Sequence, residues 1–224
     1  MAVSDREYIL SRIRKTTARV QKAAPDAASI MGRISSVPHT ADVVDTFIQR
    51  VEHAGGKVGR SKDADEARQW IEAYIQRYGL KRCVAPDAVF ELLGGRPETV
   101  AVSTAELSER GTAHDMQTLL LDAACGITAA HAGFADCGAV LIETTPDSPR
   151  TISLLVEAHI AILRTADIHD FLPGIGPFLQ HQFSSSEPRN LTFVGGPSKT
   201  ADIEKTLVKG VHGPREFTVL LLDF

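Results

Sequence analysis

The chain holds 224 residues, 43% hydrophobic and 23% charged, a balance that fits a folded globular protein and excludes a disordered tail. Its 24 basic against 28 acidic side chains give a net charge of −4, and no segment clusters Lys and Arg with interleaved aromatics, which argues against nucleic acid as a partner. The most apolar stretch, residues 152–163, is too short to span a bilayer and contains Glu157 and His159, and the first residues lack the pattern of a secretory signal, so a cytoplasmic protein without membrane association is expected.

In chain order, the first 79 residues read as a helical flank and residues 80–224 as an α/β core. Ile9, Leu10, Ile13, Thr17 and Val20 share one helix face, and Pro25 forbids that helix from running much beyond Ala23. Val44, Phe47, Ile48 and Val51, spaced i, i+3, i+4, i+7, predict a second helix that stops at Gly55-Gly56. A short strand is expected at 57–60. Ala67, Trp70, Ile71, Tyr74 and Tyr78 then form the clearest amphipathic stripe, ending at Gly79.

Beyond Gly79 the pattern changes to short apolar runs at 82–85, 99–103, 139–143, 158–163, 191–194 and 217–222. Several are continuous and not alternating, as strands covered on both faces are. Helices expected at 168–183 and 200–209 separate the later runs. The alternation predicts an open, mostly parallel sheet with crossover helices. Between 119 and 143, Gly126, Gly133 and Gly138 break any long helix, and a tight turn or hairpin is expected near Cys137-Gly138. Pro146-Asp147-Ser148-Pro149 is a loop.

The candidate functional residues lie in the later half. A strand runs into Gly195-Gly196, followed by Pro197, Ser198, Lys199 and Thr200. Read as a βα turn, it lets the backbone approach a ligand, with Thr200 capping the next helix and its N-terminus favouring an anion. The same turn also serves as plain structure, since Asp202 and Glu204 would already complement the helix dipole. It matches neither GxxxxGK[ST] nor GxGxxG. His212 sits between glycines ahead of the last strand. A returning helix would put it at the sheet end opposite Gly195-Gly196, where it would close a helix terminus.

Asp136 precedes the 139–143 strand, Glu143 ends it and Arg150 follows the proline loop. A carboxylate at a strand end beside an arginine suits a small acid or acyl group, or the two simply pair across a loop mouth. Taken together, a site is expected at the carboxyl edge of the sheet, built from Gly195, Gly196, Ser198, Glu143 and Arg150. The eight histidines form no HxxH, HExxH or HxH, and Asp167-Ile168-His169-Asp170 reads as capping and solvated charge, so no metal is expected. Cys83, Cys125 and Cys137 form no CxxC or cluster-binding run; they read as small buried hydrophobes, with no disulfide and no cofactor in this chain.

Four segments, Cys125-Gly126-Ile127-Thr128-Ala129-Ala130, Arg150 to Leu155 with Ala158-His159-Ile160, Gly196-Pro197-Ser198-Lys199-Thr200-Ala201-Asp202-Ile203-Glu204 and Gly210-Val211-His212-Gly213-Pro214, resemble in order and spacing the LUD domain of LutC/YkgG proteins. The resemblance covers roughly 80–223. It implies a fold like the NagB/RpiA/CoA-transferase group and an accessory place in bacterial oxidation of L-lactate to pyruvate, beside LutA-like and LutB-like partners that carry the iron–sulphur clusters. It departs from the family at Asp136-Cys137-Gly138-Ala139, where a Thr-Gly-Thr-like turn is usual, and at Val156, where a proline is usual. A free-standing enzyme of the same fold acting on an acyl or phosphorylated molecule is the alternative.

Overall fold

The computed structural model describes residues 5–18, 42–100, 102–104, 106, 123–170, 175–184, 190–201, 207–210 and 212–224. The chain forms two compact units, Met1–Pro38 and His39–Phe224. The first contains α1 (Asp5–Ala18); the expected continuation toward Ala23 lies outside the described residues.

The second unit opens with α2 (Val43–His53), β1 (Lys57–Ser61) and α3 (Ala64–Tyr78). Both helices start where an aspartate caps them. Asp42 accepts from the Asp45 amide at 3.0 Å and Asp63 from the Glu66 amide at 2.8 Å, each satisfying an otherwise orphaned donor. α3 stops at Gly79, whose φ of 59° places it in the left-handed region that glycine enters without cost. There follow β2 (Cys83–Ala85), α4 (Asp87–Leu92), β3 (Val102–Ser103), β4 (Cys125–Ala129), β5 (Ala132–Phe134), β6 (Ala139–Glu143), α5 (Thr151–Leu154) and β7 (Ala158–Arg164). A 3-10 turn leads to β8 (Ile168–His169), α6 (Ile175–Gln182), β9 (Leu191–Val194), β10 (Lys199–Ala201), β11 (Leu207–Lys209) and β12 (Glu216–Leu222).

Six parallel strands form the main sheet in the order β1-β12-β7-β4-β2-β3. Its two faces are written in the strands with a period of two. Ile127, Ile160, Ile162, Leu220 and Leu222 point toward α3 and α4, where Ile71, Tyr74, Ile75 and Val89 complete one core. Ala161, Leu163, Phe217, Val219 and Leu221 point the other way, against Phe47 and Val51 of α2 and Val140 and Ile142 of β6. The continuous apolar runs expected of doubly covered strands are therefore found in β7 and β12, both buried along almost their whole length.

A smaller mixed sheet, β8-β5-β6-β9, lies over that second face. Its β5–β6 hairpin turns at residues 135–138, the turn expected near Cys137-Gly138. A side chain at Gly138 would come within 2.7 Å of the Arg50 and Val51 backbone, so this turn needs glycine both for its φ of 64° and for closeness to α2.

Two expectations are corrected. The helix expected at 168–183 starts only at Ile175, because Ile168 and His169 pair with Gly133 and Phe134 as a parallel strand. The helix expected at 200–209 is absent from the described part of that segment. Lys199–Ala201 and Leu207–Lys209 pair antiparallel instead, with β-branched Thr200 opposite Val208. Among the described residues no helix is long and apolar enough to cross a membrane.

Candidate functional site

Among the described residues no helix follows β9, and Gly196 and His212 lie at the same end of the sheet. The Ser198 amide donates to the Pro214 carbonyl oxygen at 2.9 Å, and the Gly210 amide to the Ser198 carbonyl oxygen at 3.1 Å. The two glycine-bearing turns are thus neighbours, not at opposite ends as expected. Arg150, Gly195, Gly196, Ser198 and His212 line one cavity of about 290 Å³. This cavity also reaches His159 and Phe217, each the second residue of its parallel strand, so it sits at the amino edge of the main sheet and not at the expected carboxyl edge.

Each wall has a local cause. Arg150 precedes α5, which lies so close to β4 that a Cβ on Gly126 would stand 2.1 Å from the Ile152 carbonyl oxygen. That approach holds Ser153, whose hydroxyl donates to the Arg150 carbonyl oxygen at 3.0 Å. Gly196 has a φ of 146° and lies against Ala54, whereas a side chain at Gly195 would meet only Ala139, at an ordinary contact distance of 3.8 Å. Thr200 belongs to β10, paired in register with Val208 of β11, where a helix cap was expected.

His159, which the sequence shows as an interruption of an apolar run and as part of one of the LUD-like segments but not as a site candidate, is the most unusual group of this cavity. It is fully buried, its Nε2 is 2.9 Å from the Thr128 hydroxyl, and its Nδ1 finds no partner among the described residues. Burial lowers its pKa to about 3, so the ring stays neutral. A buried polar atom left without a partner costs about 1–3 kcal/mol. A cation at Arg150, a hydroxyl at Ser198 and a neutral imidazole behind them suit a small anion that carries a second polar atom.

Glu143 and Asp136 are elsewhere. Glu143 ends β6, which is antiparallel to both its neighbours, so the expected parallel strand end is corrected. Its carboxylate lies 3.2 Å from His131 Nε2 and does not pair with Arg150. Asp136 sits in the β5–β6 turn, where its amide donates to the Asp170 carbonyl oxygen at 3.1 Å. His131 carried no motif in the sequence; it becomes visible only when the turn after β4 meets the end of β6.

Cys83 and Cys125 are buried and adjacent in register across β2 and β4, as small hydrophobes are, but Cys137 is exposed. All three thiols are free. Among the described residues no group of three or more His, Cys, Asp or Glu is arranged to hold a metal ion.

A sequence profile of the LUD domain matches residues 44–222. An uncharacterized protein of Neisseria meningitidis serogroup B is 33% identical over 101 residues, 43% of this chain and 41% of that protein. Lactate utilization protein C of an Exiguobacterium species is 35% identical over 109 residues, 46% of each chain. These two alignments thus span less than half of either relative. Lactate utilization protein C of Oceanobacillus iheyensis aligns over the whole of both chains at 24% identity. The crystal structure of a DUF162 family protein from Deinococcus radiodurans superposes with a TM-score of 0.55 at 18% identity, covering 83% of this chain and 99% of that one, a likeness of fold alone. Since the profile runs from α2 to the end of β12, the chain belongs to the LUD domain family.

Proposed function

We propose that this chain is a LutC-like component of a bacterial system that oxidises L-lactate to pyruvate. In this reading it works in the cytoplasm beside separate LutA-like and LutB-like iron–sulphur proteins and takes a small carboxylate or acyl ligand in the amino-edge cavity. The end-to-end alignment with the Oceanobacillus protein named lactate utilization protein C carries the reading. Two features support it. Three cysteines cannot complete a four-thiolate cluster set, which fits a cluster-free partner of cluster proteins. The cavity of Arg150, Ser198 and His159, whose Nδ1 has no partner among the described residues, has the polarity that a small carboxylate needs.

The test is complementation. A lactate-growing bacterium lacking its own lactate utilization protein C should regain growth on L-lactate when it expresses this chain, and lose it with Arg150→Lys. Expression of soluble chain without recovery overturns the reading. In the purified protein, a small carboxylate should raise the melting temperature, and Arg150→Lys or Ser198→Ala should abolish the shift.

The second reading is a free-standing enzyme that uses this cavity for an acyl or phosphorylated molecule, favoured by the same Arg150 and glycine-turn geometry. Turnover by the purified chain without partners would select it.

A further inference from the structure

The strand order contains a switch. From β2 the chain goes outward to β3, then returns to place β4 on the other side of β2 and builds onward through β7. In open parallel sheets the loops leaving the strands part at such a point, and the crevice outside the carboxyl ends is where ligands bind. Here Pro86 follows β2, and Ala129 and Ala130 close β4; between them opens a cleft of about 180 Å³ that contains His131 and Glu143. Ala88, Ala129, Ala130 and His131 also border an adjoining chamber of about 260 Å³ that holds Arg164, Asp167 and Gln182. Small side chains keep the floor open, and the polar groups stand on its walls.

His131 and Glu143 face this space as an accessible pair, their side chains 32% and 20% exposed. The Glu143 carboxylate lies 3.2 Å from Nε2; a proton held on that nitrogen, facing the carboxylate, leaves the lone pair on Nδ1. The Gln182 amide nitrogen lies 3.5 Å from Nδ1, the far limit of a hydrogen bond, and Phe183 packs edge-on at 5.7 Å to fix the ring plane. Arg164 ends β7, is exposed and makes no ion pair among the described residues.

We propose that this carboxyl-edge cleft is a second binding site, for a small carboxylate that bears a hydroxyl group. The ligand's carboxylate pairs with Arg164, its hydroxyl donates to His131 Nδ1 in place of Gln182, and Glu143 is the positioning residue that holds the ring in the accepting tautomer. The site stands apart from the amino-edge cavity and does not rest on the role in lactate utilisation.

Glycolate titrated into the full chain with ¹⁵N-labelled histidine tests it. The His131 ring signals should move saturably, and acetate, which lacks the hydroxyl, should bind roughly tenfold more weakly. Arg164→Ala should weaken glycolate by roughly tenfold or more with an unchanged melting temperature. Glu143→Ala should raise the population of the other ring tautomer, visible in the ¹⁵N shifts, and weaken binding as well. Arg150→Lys should leave the His131 response intact. Still His131 signals across the titration, equal binding of acetate, or indifference to Arg164→Ala overturns the proposal. A response abolished by Arg150→Lys alone overturns it too, while leaving the amino-edge reading in place.

Discussion

The Gly126 Cα faces the Ile152 carbonyl oxygen so closely that a methyl group placed on it would stand 2.1 Å from that oxygen. The contact joins the middle of the main sheet to α5, the short helix that presents Arg150 and Ser153 at the amino-edge cavity. Backbone cannot yield as a flexible side chain does, so α5 must shift if the space is filled. Gly126→Ala is expected to cost about 3 kcal/mol in urea unfolding and to weaken carboxylate binding at Arg150 together with it. Gly195→Ala, whose nearest neighbour would be Ala139 at 3.8 Å, is the internal control and should stay within about 0.5 kcal/mol of the parent. Equal stability of the two variants would refute the account of α5.

His159 should make the fold acid-sensitive. Its folded-state pKa is held at about 3 by burial, against about 6.5 in the unfolded chain. Below about pH 6.5 the unfolded chain takes up a proton that the folded one refuses. The contribution of this residue to stability is therefore complete above that pH and declines as the pH falls toward about 3, by up to ~1.4 kcal/mol per pH unit. Urea midpoints measured from pH 7 downward should fall more gently in His159→Gln than in the parent. Parallel profiles would show that the ring is protonated in the fold.

Thiol labelling should separate the cysteines by burial. Cys83 and Cys125 are buried under α3 and α4, and Cys137 is exposed in the β5–β6 turn. The Cys137 sulfur nevertheless lies 3.9 Å from the Phe134 carbonyl oxygen, and partial burial pushes its thiol up to about 11. A maleimide should give one adduct on native protein, at Cys137, at a rate that rises with pH because the thiolate is the nucleophile. Three adducts should form after denaturation. Native labelling at Cys83 or Cys125 would contradict the packing.

Charge across the β1–β12 pair should matter little. Lys57 and Glu216 are 2.5 Å apart, but their side chains are 42% and 40% exposed, where solvent screens the attraction. Glu216→Gln is expected to change stability by less than about 1 kcal/mol, and by less still in high salt. A larger loss measured by urea unfolding would mean that the pair fixes the strand register.

How much of this was legible depended on distance along the chain. The glycine stop at Gly79 and the doubly covered runs of β7 and β12 follow from forces acting within a few residues, and the sequence read alone places them; the aspartate caps of α2 and α3 are equally local, but the apolar stripes alone do not single them out. The gathering of Arg150, Gly195, Gly196, Ser198 and His212 was legible as a set of residues but not as a place. A βα unit and a β-hairpin share the same entry turn and differ only in where the chain returns.

Partners set by strand pairing were not legible at all. Residues 199–209 carry threonine, leucine and valine that serve helix or strand, and the antiparallel match of Thr200 with Val208 decides for the strand. Glu143 looked equally able to serve a small acid or acyl group beside Arg150, seven residues on, or to pair with that arginine across a loop mouth. It meets His131 because β5 folds back on β6 across a four-residue turn, a closure that satisfies backbone groups first and brings the side chains together as its consequence. Composition and local pattern thus determined most of the strands, helices and turns, whereas the choice of strand over helix at 168–169 and 199–201, and the edge of the sheet at which each polar residue stands, were decided by hydrogen-bond pairing between segments that no local signal links.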